Sequence, residues 1–218
     1  MTNTLYGNAV GYGVSPAGSE TPADPPTDVP VQFSGPFVAC SHPAHRCLFN
    51  DPIARQTGVY LWTVEVEGEE KVWYVGQTRV RFGIRTAQHL AGMLSGECST
   101  VDAGALSRGE HRRVGSARPA WPSGLPTFLD EYETLAPHIA GTIRSMRFHF
   151  APLTGDGHLF NRVEGAIARH YKKHQNEALR NFLKPGLRVP AAIPFDKPLR
   201  LVISSESAIA ALPQELVI

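Results

Sequence analysis

Lys and Arg are absent from the first 45 positions, where Glu20, Asp24 and Asp28 stand as the acids among Pro, Gly, Ser and Thr. Such a composition cannot bury enough apolar surface to offset the entropy of ordering, so residues 1–35 are expected to form a disordered tail. Cysteine is scarce: Cys40, Cys47 and Cys98 are an odd number at sparse spacing, which excludes a disulfide framework and fits a reducing compartment. No apolar run approaches the about 18 residues of a membrane-spanning helix. The N-terminus also lacks the basic-then-apolar pattern of a secretory signal. A soluble, cytoplasmic protein without a membrane partner is expected. Strong net charge is missing too, at +1 over 218 residues.

The charge is unevenly placed. Seven arginines face three acids between Arg79 and Arg118, and seven Lys or Arg face two acids between Arg162 and Arg188. Two local basic segments are what a nucleic-acid surface needs, although solvated helix faces look the same at this level.

Periodicity places the elements. Val59 to Val66 alternates β-branched and aromatic residues, Gly68-Glu69-Glu70 reads as a turn, and Val72 to Val75 resumes the strand, so a β-hairpin is expected. In "QTRVRFGIRTAQHLAGML", Phe82, Ile84, Ala87, Leu90, Ala91 and Leu94 fall on one helical side. Gly83 inside that helix costs roughly 1 kcal/mol relative to alanine. A further helix is expected over about 127–143, a third strand at "RFHFAPL", a long helix at "HLFNRVEGAIARHYKKH", a late strand at "LRLVISS" and a short serine-capped terminal helix in "SESAIAALPQEL". The fold class is mixed α/β (α+β) with an antiparallel sheet.

Chemistry-bearing residues recur along this frame. Tyr60 and Tyr74 lie on the two hairpin strands and share a face if paired residue numbers sum to an even number, as a three-residue loop allows. Arg85 and His89 are four apart on the first helix, with Arg81 one turn back. Glu164 lies among Phe160, Ile167 and Tyr171, beside the apolar stripe of its helix. A carboxylate there needs a partner, either a divalent cation or an arginine such as Arg85. Asn176 stands twelve residues later, where the basic run ends. In "CSHPAHRC", Cys40, His42, His45 and Cys47 are zinc-ligand types, but four ligands within eight residues crowd a tetrahedron, and the spacing argues against a structural zinc.

"GVY" at Gly58–Tyr60 and "YVG" at Tyr74–Gly76 resemble the two halves of the GIY-YIG nuclease signature, with valine for isoleucine, an interchange of stiff β-branched residues. The residues beyond the hairpin are similar in order to those of that superfamily: an arginine helix with a histidine one turn on, a second helix with a glutamate, then an asparagine. The matching residues are Arg85, His89, Glu164 and Asn176. The resemblance covers Gly58 to Asn176 and implies a small antiparallel three-stranded sheet flanked by helices within one domain, 36–218. The interval from His89 to Glu164 is long for that family, so 91–144 reads as an insertion that contacts DNA or buttresses the sheet. A C-terminal extension begins near residue 183.

The resemblance implies a restriction-type or stand-alone endonuclease hydrolysing phosphodiester bonds of double-stranded DNA with Mg²⁺ or Mn²⁺. A repair or mobile-element nuclease directed by a partner, or a catalytically silent nucleic-acid-binding module, is the alternative. In that reading Glu164 holds the cation, Arg85 clamps the scissile phosphate, and Tyr60 is the base or water-positioning phenol. Its phenol, with an ordinary pKa of about 10, would have to be acidified by nearby cationic charge. Tyr74 and His89 orient nucleophile or phosphate, and Asn176 supports the metal side. Arg79, Arg81, Arg112, Arg113, Lys172 and Lys173 would contact DNA. Enzymes of this type acting on palindromes would use a two-fold homodimer. Gly58 and Gly76, lacking Cβ atoms, allow close approach of backbone or phosphate beside the tyrosines.

Overall fold

Nine residues from Gly58 to Val66 form a strand in which every residue except Glu65 is buried. A strand covered on both faces requires a layer on each side of its sheet. A computed structural model describes residues 25–98, 100–115, 122–173 and 197–218 and shows those layers. The elements are β1 (Thr27–Val38), β2 (Arg46–Cys47), two 3-10 turns (Leu48–Asn50 and Pro52–Arg55), β3 (Gly58–Val66), β4 (Glu69–Thr78), α1 (Phe82–Leu94), α2 (Ala103–Ser107), α3 (Leu125–Asp130), α4 (Tyr132–Ser145), β5 (Met146–Pro152), α5 (Gly157–Lys173), β6 (Leu199–Ser205) and β7 (Glu215–Val217).

The mixed α/β expectation holds, but the sheet is larger than three strands. Among the described residues it has seven, in the order β4-β3-β5-β1-β6-β7 with β2 beside β1. The β3–β4 hairpin and β5 form the expected antiparallel unit. The additions come from both chain ends: β1 is antiparallel to β5 and parallel to β6, and β7 closes the far edge. Order therefore begins well inside the segment expected to be a tail, since β1 starts at Thr27. Its prolines hid it. Pro30 lies in the half of β1 paired to β6 alone, and Pro36 lies where the pairing moves to β5, so neither interrupts a doubly bonded stretch.

Even-numbered residues of β3 and β5, with Phe37 of β1, face one core, covered by α1 and by the helices of the 91–144 segment through Phe82, Leu90, Met93, Leu106, Phe128, Leu135 and Ile139. Odd-numbered residues, with Val31, Phe33, Leu201 and Ile203, face a second core, covered by Val163, Ala166, Ile167 and Tyr171 of α5. The 91–144 segment thus buttresses the sheet. Its expected single helix is two, α3 and α4, joined at Glu131. The expected terminal helix is absent: residues 206–214 form bends and turns leading into β7.

The hairpin turn is tighter than expected. Val66 pairs with Glu69, leaving a two-residue loop of Glu67 and Gly68, both with positive φ (55° and 81°), the handedness that matches strand twist. On its own that loop would put Tyr60 and Tyr74 on opposite faces. A bulge restores the parity: Thr63 pairs with Val72 but Trp62 with Tyr74, so Trp73 is the extra residue. Beyond it Tyr60 pairs with Gly76, and Tyr60, Trp62 and Tyr74 share a face.

Candidate functional site

β4 is an edge strand, with α1 over one face of the sheet and α5 over the other. Side chains from both layers can therefore meet around that edge. Tyr60 comes from the buried centre of β3, Tyr74 from β4 where it packs against both cores, Arg85 and His89 from the sheet side of α1, and Glu164 from α5. The Tyr60 hydroxyl is 3.3 Å from His89 Nε2. The Tyr60 and Tyr74 ring centroids are 6.1 Å apart, and those of Tyr74 and His89 are 5.9 Å apart. Trp62, the cross-strand partner of Tyr74, meets the His89 ring edge-on at 4.9 Å. The sequence reading passed over Trp62, although its place two residues after Tyr60 puts it on the same face.

One cation serves the whole group: the Arg85 guanidinium acts electrostatically on Tyr60, Tyr74 and Glu164 alike. Its position one turn before His89 on α1 brings both to the sheet edge, and its terminal nitrogen is 3.5 Å from Gln88 Oε1. Burial pushes the Glu164 carboxyl up to about 7, against the pull of Arg85. Among the described residues Glu164 makes no ion pair. The expected acidification of Tyr60 is not what the surroundings produce. Burial first, then Tyr74, raises its phenol above the ordinary range, outweighing Arg85. Tyr74 is raised by burial and by Glu164. Both phenols are neutral donors near pH 7, so Tyr60 as an acidified base is corrected to Tyr60 as a hydroxyl able to donate to His89.

The glycines are placed for two different reasons. A Cβ on Gly76 would fall 2.5–2.8 Å from the ring and hydroxyl of Tyr60, so Gly76 makes room for that ring. Gly58, at φ +147°, leaves no space for a Cβ against the Ala151 carbonyl of β5. Both close approaches are made by the protein itself.

Among the basic residues, Arg79 is exposed and lies against Gly157 at the start of α5, and Arg81 is exposed beside α1. Lys172 and Lys173 are exposed in the last turn of α5. Arg113 is exposed and bridges to Val101. Arg112 is otherwise engaged: it pairs with Asp102, whose carboxylate also accepts from the Ala105 amide at the start of α2. That pairing, with the Ala105 hydrogen bond, holds the Asp102 carboxyl down to about 2. Arg112 thus ties residues 102 and 112 of the 91–144 segment together. Asn176 lies outside the described residues.

A single half-buried carboxylate without an ion pair is a donor set that suits a hard divalent cation keeping most of its water, and Glu164 is the residue that would hold it. Among the described residues no group of three or more His, Cys, Asp or Glu is arranged around a common metal position. In the Cys/His segment, the His42 and His45 rings stack at 4.7 Å, Cys40 is exposed and Cys47 is half-buried.

Two polar arrangements escaped the sequence reading. Gln77 Nε2 donates to Asn161 Oδ1 at 3.2 Å, tying β4 to α5 one turn before Glu164. Its position directly after Gly76 was the available signal. On the α5 side of the sheet, His149 is fully buried, with Nε2 2.6 Å from Glu70 Oε2 and 3.2 Å from Thr63 Oγ1. No described helix is long and apolar enough to cross a membrane. No protein-family model, curated protein or solved structure matches the chain.

Proposed function

We propose that the protein is a divalent-cation-dependent endonuclease that hydrolyses phosphodiester bonds of double-stranded DNA. The observation that supports the reading is the convergence of Tyr60, Tyr74, Arg85, His89 and Glu164, from four elements and both helical layers, on one edge of the sheet. Aromatic packing alone would account for the tyrosines. It does not account for an arginine and a half-buried carboxylate that makes no ion pair among the described residues.

In this reading Arg85 presents its fork of donors to the scissile phosphate, a geometry that binds two phosphate oxygens at once. Tyr60 orients the attacking water. As the water oxygen bonds to phosphorus, its proton passes to the Tyr60 oxygen while the Tyr60 proton passes to His89 Nε2. Tyr60 ends as it began, and His89 carries the proton. This route uses a neutral phenol, in agreement with its burial. A cation held by Glu164 would supply neutralisation of the phosphate charge and of the departing 3′-oxygen. Tyr74, between His89 and Glu164, keeps the phosphate and water in line. Arg79 and Arg81, exposed beside this edge, carry the flanking DNA backbone. Incubating the purified protein with plasmid and genomic DNA, with Mg²⁺ and with a chelator, tests the reading. Cleavage only with the cation, abolished in Glu164→Gln, is the expected result. Intact DNA under both conditions, or full activity in that variant, overturns it.

A further inference from the structure

Gln77 is spent on one side only. Its Nε2 donates to Asn161 Oδ1, while its Oε1 is buried and accepts no hydrogen bond among the described residues. Native structures satisfy buried carbonyl oxygens with few exceptions. An acceptor held in place by a partner's side chain is a built feature, and this one stands where β4 leaves Gly76. Asn161 and Glu164 are three residues apart on α5 and hence neighbours on one helical face. The amide bracket therefore lies beside the carboxylate that would hold the cation. A cation bound through one carboxylate retains several waters, and those waters donate hydrogen bonds and need acceptors.

We propose that Gln77 is a positioning residue for the divalent cation: its Oε1 accepts a hydrogen bond from the cation's hydration shell, and Asn161 holds the amide in the orientation that allows it. The inference rests on the nuclease reading. Gln77 makes no contact with the reacting atoms. It sets the affinity of the ion at Glu164 through a water.

The test uses Ca²⁺ and a plasmid-derived duplex fragment. Ca²⁺ commonly supports binding in such sites without cleavage, and gel retardation reads the Ca²⁺ concentration that gives half-maximal DNA retention. Gln77→Leu should raise that midpoint about tenfold, the lower end of what removal of an outer-shell partner costs. Its DNA retention in chelator should be unchanged, and its thermal midpoint in chelator equal or higher, because the variant removes a buried acceptor that has no partner. Asn161→Ala should move the Ca²⁺ midpoint the same way by freeing the amide, and Gln77→Glu, which keeps an acceptor oxygen, should not raise it. A wild-type Ca²⁺ midpoint in both Gln77→Leu and Asn161→Ala, with or without a lower thermal midpoint, overturns the inference and leaves the nuclease reading standing. Ion-independent DNA retention and no Mg²⁺-dependent cleavage by the wild-type protein overturn both.

Discussion

Replacing Gly76 with alanine adds one methyl group at the place where the two tyrosine strands meet. An ideal Cβ there falls 2.5 Å from the Cζ and 2.6 Å from the hydroxyl of Tyr60. Carbon atoms in good contact sit about 3.5–4.0 Å apart, so the overlap is about 1 Å. The ring has little freedom to move away. Tyr60 is 2% exposed, with Trp62 and Phe150 each at a 6.2 Å centroid separation and Tyr74 at 6.1 Å. Overpacking of this kind costs about 1–3 kcal/mol. At this chain length each kcal/mol lowers the thermal midpoint by about 2–4 °C. The displaced hydroxyl also loses its place near His89 Nε2, and a misplacement of about 1 Å can reduce a rate about 10²-fold. Thermal unfolding and single-turnover plasmid cleavage, measured on the same preparation, read both effects. Adding Tyr60→Ala removes the clash, so the double variant should recover part of the midpoint relative to the sum of the two single losses and recover none of the activity. A Gly76→Ala protein with wild-type midpoint and wild-type rate would refute the claim that Gly76 exists to seat the Tyr60 ring.

Tyr60→Phe should keep the fold and lose about 10²- to 10⁴-fold in the cleavage step, the range for a general base. Because Tyr60 and His89 act as one relay, the double variant Tyr60→Phe/His89→Ala should be no slower than the worse single variant, and additive losses would separate the two residues. Glu164 carries a folded pKa of about 7, above its ordinary 4.5, so the folded protein binds the extra proton more tightly than the unfolded chain does. Cation-free stability should therefore fall as pH rises from about 4.5 to about 7. Glu164→Gln should be more stable than wild type at pH 8 and equal to it near pH 4, and identical pH profiles for the two proteins would overturn the burial argument. Burial raises the Glu70 carboxyl, but its hydrogen bond to His149, with Thr63 and Arg147 assisting, wins and leaves it below the ordinary range. Its contribution is thus present above the unfolded pKa and lost as pH falls through the lower folded one. Glu70→Ala, which removes the carboxylate from the fully buried His149 and leaves it the Thr63 hydroxyl, should cost about 1–3 kcal/mol near neutral pH in chemical denaturation, and a wild-type denaturation midpoint would overturn the pairing. Arg79→Ala with Arg81→Ala should flatten the slope of log binding constant against log salt by about 1–2, through fewer released counterions, and an unchanged slope would place both arginines away from DNA.

The centre of the fold was legible because its signals are local. The β3–β4 hairpin, β5 and α5 announce themselves by period, but the stripe read for α1 is not its buried face: Ile84, Ala87, Ala91 and Leu94 are exposed, and Phe82, Thr86, Leu90 and Met93 face the core. What was missed depends on partners distant in sequence. β1 carries Pro30 and Pro36, which argue against a strand until one sees that its halves pair with different neighbours. The stretch after β6 contains cap residues and small apolar residues that suit a short helix, yet Ile209 and Leu212 pack onto the second core from turns, and the Ala210 amide bonds the Glu70 carbonyl across from the hairpin. Tertiary packing overrode a weak propensity. The Tyr60 phenol was misjudged for a similar reason. Sequence shows the arginines near it, whereas its depth in the core, which decides the direction, comes from residues on β3, β4 and β5 together.

The bulge at Trp73 ties these observations to one another. The two-residue Glu67-Gly68 turn is the strongest local device in the hairpin, but it fixes a pairing parity that would send Tyr74 away from Tyr60. One extra residue between Val72 and Tyr74 reverses the parity and lets both Trp73 and Tyr74 pack toward the α1 side, with Trp62 and Trp73 stacked at 6.2 Å. With Trp73 bulged, Gly76 stands opposite Tyr60, a pairing in which a Cβ would strike the Tyr60 ring. Sheet register, the aromatic wall around His89 and the place of the glycine of "YVG" therefore depend on Trp73 staying out of the ladder. Were Trp73 to enter the ladder instead, Trp62 would meet Trp73 and Tyr60 would meet Val75, turning Tyr74 to the α5 face, whereas deleting Trp73 would remove the bulge and keep Tyr60 opposite Gly76 and Trp62 opposite Tyr74.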